Sequence, residues 1–122
     1  MATNTPKPSL DQQRAAYAWQ KVQGQNSDYT KLAKGAPALI MNNGLMQTLA
    51  YYADKNKSHH RSLNQHLIDW LAIYLTGQEN MTVPFSLMME QLQKTNSQKY
   101  RKATEETLAL LRWIRQFAAI NQ

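Results

Sequence analysis

The closing stretch of the chain, residues 99–120, constrains the fold more than any other part of the sequence. Its small and apolar side chains recur at spacings of three and four residues, which places them along one face of an α-helix. This stripe consists of Tyr100, Ala103, Thr107, Leu111, Ile114 and Ala118, and it is widened by Leu110 and Phe117. Because helices in proteins owe most of their stability to packing of such a face, the stripe predicts that other helices cover it.

The same helix carries a second kind of surface. Arg101, Arg112 and Arg115 lie beside the apolar stripe, whereas Trp113 and Ile120 point away from it. Tryptophan and arginine are enriched among the residues that contribute most to binding. The sequence therefore predicts a helix that packs on its own core with one face and binds a partner with another.

Capping residues define two helices in the first third of the chain. Residues 1–8 contain two prolines among small polar residues and are predicted to be a flexible leader. Ser9 is a suitable N-cap for the first helix, because its hydroxyl can accept a hydrogen bond from a free backbone N–H. A short second helix is predicted over residues 29–34, closed by Gly35.

Proline and apolar spacing define the helices in the middle of the chain. Pro37 suits the first turn of a third helix. We predict that this helix continues through the Asn-Asn-Gly triplet at 42–44, because the flanking residues do not alternate as in strands. A fourth helix is predicted over about 60–76 and a fifth from Pro84, with a break at 95–97 before the last helix.

The composition excludes several classes of protein. The chain has 122 residues, a net charge of +6 and no cysteine, so it has neither disulfides nor thiolate zinc sites. No stretch reaches the about 20 apolar residues of a membrane span, and we expect a soluble, cytoplasmic protein. The predicted fold class is all-α, with residues 9–122 forming a single-domain bundle of five to six helices.

Histidine is the only plausible catalytic residue type. His59, His60 and His66 lie near the start of the predicted fourth helix, but their spacing matches no metal-binding motif. The carboxylates are scattered, and no glycine-rich phosphate loop is present. We therefore predict no enzyme activity, no cofactor and no metal. A small metal-independent ribonuclease that uses these histidines as acid and base remains an alternative.

Basic residues interleaved with aromatic residues are the stronger functional signal. Lysine and arginine neutralise phosphates without reading sequence, and aromatic rings stack on unpaired bases. We predict nucleic-acid contacts for Arg14, Lys21, Lys55, Lys57, Arg61, Arg101, Arg112 and Arg115.

The tryptophans divide into two groups. Trp19 and Trp70 lie with the apolar stripes of their helices and are predicted to be core residues. Trp113 lies off the core stripe, so it either covers another helix or forms a protein interface. We predict a protein interface formed by Trp113, Ile120 and Tyr17.

Four sequence blocks resemble a known family when read in order. They are QQRAAYAWQKV, APALIMNNGLMQTLAYY, HLIDWLAIYL and KYRKATEETLALLRWIRQFA. The most specific parts are A-Y-A-W, P-x-L-I-x-x-x-G-L and the closing TLALLRWIRQFA. Together the blocks cover most of the chain from Leu10 to Ala119. The chain resembles the small subunit of the type III-B CRISPR effector, the Cmr complex.

The resemblance implies a helical subunit without catalytic activity. Copies of such a subunit stack as a filament beside the backbone subunits that hold the CRISPR RNA. They contact the large palm-domain subunit at one end and line the path of the target RNA. The resemblance also implies that another subunit cleaves the target, in agreement with the lack of a catalytic motif in this chain. A stand-alone helical module that regulates by binding nucleic acid or protein is a further alternative.

Overall fold

The structure is a computed structural model that describes residues 6–78 and 82–121. Within these ranges the chain forms six helices and no strand. They are α1 (Leu10–Val22), α2 (Ser27–Asn43), α3 (Leu45–Lys55), α4 (Ser58–Thr76), α5 (Phe85–Lys94) and α6 (Ser97–Ile120). This confirms the predicted all-α fold of five to six helices. Residues 1–5 of the predicted leader lie outside the described ranges.

Local capping signals place several helix ends where they were predicted. Ser9 and Gln12 form a capping box, in which the Ser9 hydroxyl accepts from the Gln12 backbone N–H at 3.1 Å. The Gln12 side chain accepts in return from the Ser9 backbone N–H at 2.7 Å. At the end of α4, Gly77 has a φ of 76° and donates its N–H to the carbonyl of Ile73.

The predicted boundary between the second and third helices is wrong. The second helix does not stop at Gly35, because α2 continues through Gly35 and Pro37 to Asn43. Tyr29, Ala33, Ala36 and Ile40 form one buried face across both positions. Proline removes one hydrogen bond from a helix interior, so the packing of this continuous face compensates for an unfavourable residue.

The break falls instead at Gly44, inside the triplet that we predicted to be helical. Gly44 has a φ of 91° and a ψ of 161°, a region that is essentially restricted to glycine. Its N–H donates to the carbonyl of Ile40 at 2.8 Å, and Leu45 begins α3. Tyr100 of α6 stabilises the first turn of α3, because its hydroxyl accepts a hydrogen bond from the Met46 backbone N–H at 3.0 Å.

The core centres on the packing of α6 against α1, α2 and α4, and buried residues of α3 and α5 extend it. The predicted stripe of α6 is buried, except that Tyr100 and Phe117 are only partly covered. Trp70 is 4 % exposed, which confirms it as a core residue. Trp19 is 47 % exposed, so its prediction as a core residue is wrong. Within the described ranges, no helix is both long and apolar enough to cross a membrane.

Candidate nucleic-acid and protein interfaces

A basic cleft opens between α2 and α6. It has a volume of about 360 Å³ and is lined by Lys34, Arg112, Arg115, Gln116 and Ala119. Arg112 and Arg115 are three residues apart and therefore lie on the same side of α6. The three cationic side chains are exposed, and no carboxylate lines the cleft. Phosphate groups of a nucleic acid are the chemical partners that such a cleft suits best.

The cations of the cleft form no close ion pairs with the described residues, although the charge of Arg112 contributes to the lowered pKa of Asp11. Neither Arg112, Arg115 nor Lys34 forms an ion pair with any residue in the described part of the chain. Lys34 was not among the predicted contacts, and it lay at the end of the predicted second helix. Reading α2 as one continuous helix would have placed Lys34 in the middle of that helix, but only the tertiary structure brings it beside α6.

Arg14 occupies a different environment from the one predicted. Its Nε and Nη2 atoms each lie 2.7 Å from an oxygen of Glu106, a side chain only 4 % exposed. Its Nη1 atom lies 3.1 Å from Asp11. The hydrogen bonds to Glu106 raise the pKa of Arg14. Because these contacts use the guanidinium within the fold, Arg14 is not available for the predicted nucleic-acid contact.

Glu106 connects α1 to two other helices. The same carboxylate that binds Arg14 also accepts a hydrogen bond from the Trp70 indole at 2.9 Å. On the outer side, Asp11 accepts from the Trp113 indole at 3.0 Å. The hydrogen bonds from Trp113 and then Arg14 lower the pKa of Asp11. A chain of polar contacts thus joins α1 to α4 and α6.

Tyr17 is half-buried, and both its hydroxyl and its ring make contacts within the fold. Its hydroxyl donates to the backbone carbonyl of His66 at 2.6 Å, and its ring centroid lies 4.9 Å from that of Trp70. Burial, as the main cause, raises the pKa of Tyr17. Lys21 is half-buried, with its Nζ 5.3 Å from the Tyr17 ring centroid. The role of Tyr17 in a protein interface stays a prediction, and these contacts show that its hydroxyl is already used within the fold.

The remaining predicted basic residues lie on separate surfaces. Lys55, Lys57 and Arg61 surround the turn between α3 and α4, where Arg61 donates to the carbonyl of Asn56. Arg101 lies near the start of α6, about 21 Å along the helix axis from Arg115 at 1.5 Å per residue. The structure therefore does not place all predicted basic residues in one groove.

An exposed aromatic patch lies where α1 crosses the end of α6. We use this name for Trp19, Trp113, Phe117 and Ile120. The Phe117 ring centroid lies 5.1 Å from that of Trp19 and 5.4 Å from that of Trp113. Ile120, near the end of α6, is 62 % exposed. Trp113 itself is half-buried, so Trp19 and Ile120 provide most of the free apolar surface.

The histidines lie in two separate environments, with His59 next to His60 and His66 next to Tyr29. His66 Nδ1 lies 2.8 Å from the Tyr29 hydroxyl, and burial together with nearby Lys21 lowers the pKa of His66 to about 4. His60 is buried, its Nδ1 has no hydrogen-bond partner, and burial is the main cause that lowers its pKa. His59 lies against His60 with ring centroids 4.4 Å apart. No group of three metal-ligating side chains occurs among the described residues.

Both the sequence and the fold of this chain are similar to those of known proteins. Residues 10–121 match the family model described as CRISPR-associated protein (Cas_Cmr5). The fold is similar to the crystal structure of a CRISPR-associated Cmr5 family protein from Thermus thermophilus, with a TM-score of 0.74 and 24 % sequence identity. That similarity covers 93 % of this chain and 97 % of the Thermus chain. Because the family match spans nearly the whole chain, the protein belongs to the Cmr5 family, whose members are the small subunits of the type III-B CRISPR effector, the Cmr complex.

Proposed function

We propose that this chain is a non-catalytic subunit that stacks in copies within the Cmr complex and binds RNA through the cleft between α2 and α6. The observation that supports RNA binding is the convergence of three unpaired cations, Lys34, Arg112 and Arg115, on one concave surface. In this proposal the subunit works in the cytoplasm. Its partners are the large palm-domain subunit, the backbone subunits, the CRISPR RNA and the target RNA.

The mechanism proposed for RNA binding is electrostatic. Each cation that neutralises a phosphate of a single strand releases counterions and contributes about 0.7 to the slope of log affinity against log salt. Successive copies would repeat the cleft along the strand and hold the backbone without reading the bases. Additional RNA contacts remain predictions for Lys21, Lys55, Lys57, Arg61 and Arg101.

Charge reversal in the cleft tests this proposal. Arg112→Glu and Arg115→Glu should each weaken binding of target RNA by the reconstituted complex and lower the salt slope. Lys102→Glu is the matched control, because Lys102 is exposed on α6 and does not line the cleft. If affinity and slope are the same for the cleft variants and the control, the cleft does not bind RNA.

The aromatic patch supports the proposal of self-assembly. A head-to-tail stack needs two different surfaces on each copy, and an exposed apolar patch is a suitable candidate for one of them. Ile120→Gln should reduce stacking in sedimentation experiments while leaving the thermal melt of the subunit unchanged. Leu87→Gln provides the control, because Leu87 is 43 % exposed on α5. Equal stacking in both variants would exclude the aromatic patch from the interface.

The proposed lack of catalysis is supported by the state of the histidines. His66 binds Tyr29 inside the fold, and its lowered pKa keeps the imidazole neutral near pH 7. His66→Ala should therefore leave target RNA cleavage by the assembled complex intact. Loss of cleavage in a folded and fully assembled complex would instead support the ribonuclease alternative.

A further inference from the structure

A second, smaller pocket lies at the junction of α2 and α3. It has a volume of about 250 Å³ and is lined by Leu39, Asn43, Gln47, Thr48 and Tyr51. None of these residues lines the basic cleft. The volume is below the about 300–1,000 Å³ that is usual for pockets of drug-sized ligands, so the pocket suits a single ring system.

One wall of the pocket is an exposed aromatic ring. Tyr51 is 46 % exposed, although it is a large residue on a helix next to the core. The Nζ of Lys55 lies over one face of this ring, 5.5 Å from its centroid, so a ligand can stack only on the other face. Leu39 of α2 is half-buried and provides an apolar surface on the other helix. Aromatic and apolar surfaces of this kind contact the flat faces of planar heterocycles.

The rim of the pocket carries two primary amides. Asn43 ends α2 and Gln47 lies in the first turn of α3, so they lie on opposite sides of the break at Gly44. Both side chains are exposed, and neither forms a hydrogen bond within the described part of the chain. Each amide offers both donors and an acceptor, the groups that pair with the Watson–Crick edge of an unpaired base. The Thr48 hydroxyl already donates to the carbonyl of Gly44 at 2.9 Å.

We propose that this pocket binds one unpaired base of a single-stranded RNA. The base stacks on Tyr51, its edge bonds to the amides of Asn43 and Gln47, and Lys55 neutralises a neighbouring phosphate. No carboxylate lines the pocket to repel that phosphate. The inference rests on the proposed RNA-binding function and adds a contact to a base, whereas the basic cleft contacts only the backbone.

An abasic oligomer separates the two contacts. The full chain, alone and in the reconstituted complex, is titrated with oligouridine and with an abasic oligomer of equal length and charge. Tyr51→Ala should weaken oligouridine binding about tenfold and leave binding of the abasic oligomer unchanged. Tyr51→Phe should bind like the unsubstituted chain, because it keeps the ring. Tyr74→Ala is the control, because Tyr74 is 36 % exposed on α4 and lies outside the pocket.

The other outcomes are decisive as well. Equal effects of Tyr51→Ala on both oligomers, or no effect on either, would overturn the base pocket. Reduced self-association with unchanged RNA binding would also overturn it and would assign the pocket to a neighbouring copy. If the base pocket fails but Arg112→Glu still weakens binding of the abasic oligomer, the proposed RNA function stands. Failure of both oligomers to bind would overturn both proposals.

Discussion

Removing the charge of Glu106 should destabilise the fold strongly without touching any surface that we propose for binding. Glu106 is 4 % exposed and accepts hydrogen bonds from Arg14 at 2.7 Å and from Trp70 at 2.9 Å. In Glu106→Gln one carboxylate oxygen is replaced by an NH₂ group. Because Arg14 and Trp70 are both hydrogen-bond donors, the NH₂ group must face a donor and at least one hydrogen bond is lost. Arg14 then lies 17 % exposed without its main counter-charge.

The magnitude follows from the contacts that are lost. Loss of one partner of a fully buried ion pair costs about 3–5 kcal/mol, and hydrogen bonds to charged groups contribute about 1.5–3 kcal/mol. Arg14 keeps its contact with Asp11 and some access to water, so the lower part of these ranges applies. We expect the free energy of unfolding to fall by about 2–3 kcal/mol. At about 4 °C per kcal/mol for a chain of this size, the melting temperature should drop by roughly 10 °C.

Thermal and urea unfolding of the isolated subunit measure this effect. The matched control is Glu105→Gln, because Glu105 is the adjacent exposed residue on α6 and surface substitutions change stability by less than about 0.5 kcal/mol. Arg14→Leu tests the same interaction from the other side, and its effect should not add to that of Glu106→Gln. If Glu106→Gln and Glu105→Gln unfold within about 2 °C of each other, the ion pair does not stabilise α1 as argued.

Three further predictions concern the fold and its pH dependence. Tyr52→Phe should be neutral or stabilising by up to about 1 kcal/mol, because its buried hydroxyl has no hydrogen-bond partner. Tyr29→Phe should cost about 1 kcal/mol through loss of the contact with His66, and equal urea midpoints for the two variants would contradict this reasoning. Gly44→Ala should destabilise by about 1–3 kcal/mol because of its φ of 91°, whereas Gly35→Ala, in a helix with open space around it, should stabilise by up to about 1 kcal/mol. If the melting temperatures of Gly44→Ala and Gly35→Ala change in the same direction, the different backbone requirements argued for the two glycines are wrong. The pKa of His66 is about 4 in the fold and 6.5 in the unfolded chain. Because the unfolded state therefore binds a proton at a higher pH than the folded state, the free energy of unfolding should fall as the pH drops from about 6.5 to 4. The expected decrease is up to about 3 kcal/mol. Urea unfolding across this range should show a flatter profile for His66→Asn, and an unchanged profile would assign the pH dependence to other groups.

Local chemistry determined the features that the sequence predicted well. The N-cap at Ser9, the end of α4 at residue 76 and the stripe of α6 each depend on residues within about one or two turns of each other. Such short-range patterns act in the same way in any helical protein, so they can be read before the fold is known. The same holds for the family pattern, because it consists of the order of such segments along the chain.

Errors arose where local preference competed with packing. Gly35 and Pro37 are unfavourable in a helix interior, but the buried face of α2 continues across both of them. We predicted that the helix continues through the Asn-Gly pair before α3. In the structure Gly44 breaks the helix, and the hydroxyl of Tyr100 accepts a hydrogen bond from the Met46 N–H at the start of α3. Neither result could be decided by neighbouring residues alone.

The sequence by itself determined the all-α class, the central position of the last helix and the Cmr5 family pattern. Only the tertiary structure decided which side chains remain free. It uses Arg14 in a contact with Glu106, 92 positions away in sequence, and it leaves Trp19 at the surface beside Phe117. It also brings Lys34 to Arg112 and Arg115 in one cleft. The physical reason is that periodicity specifies the faces of one helix, whereas exposure and pairing depend on which helices cover those faces.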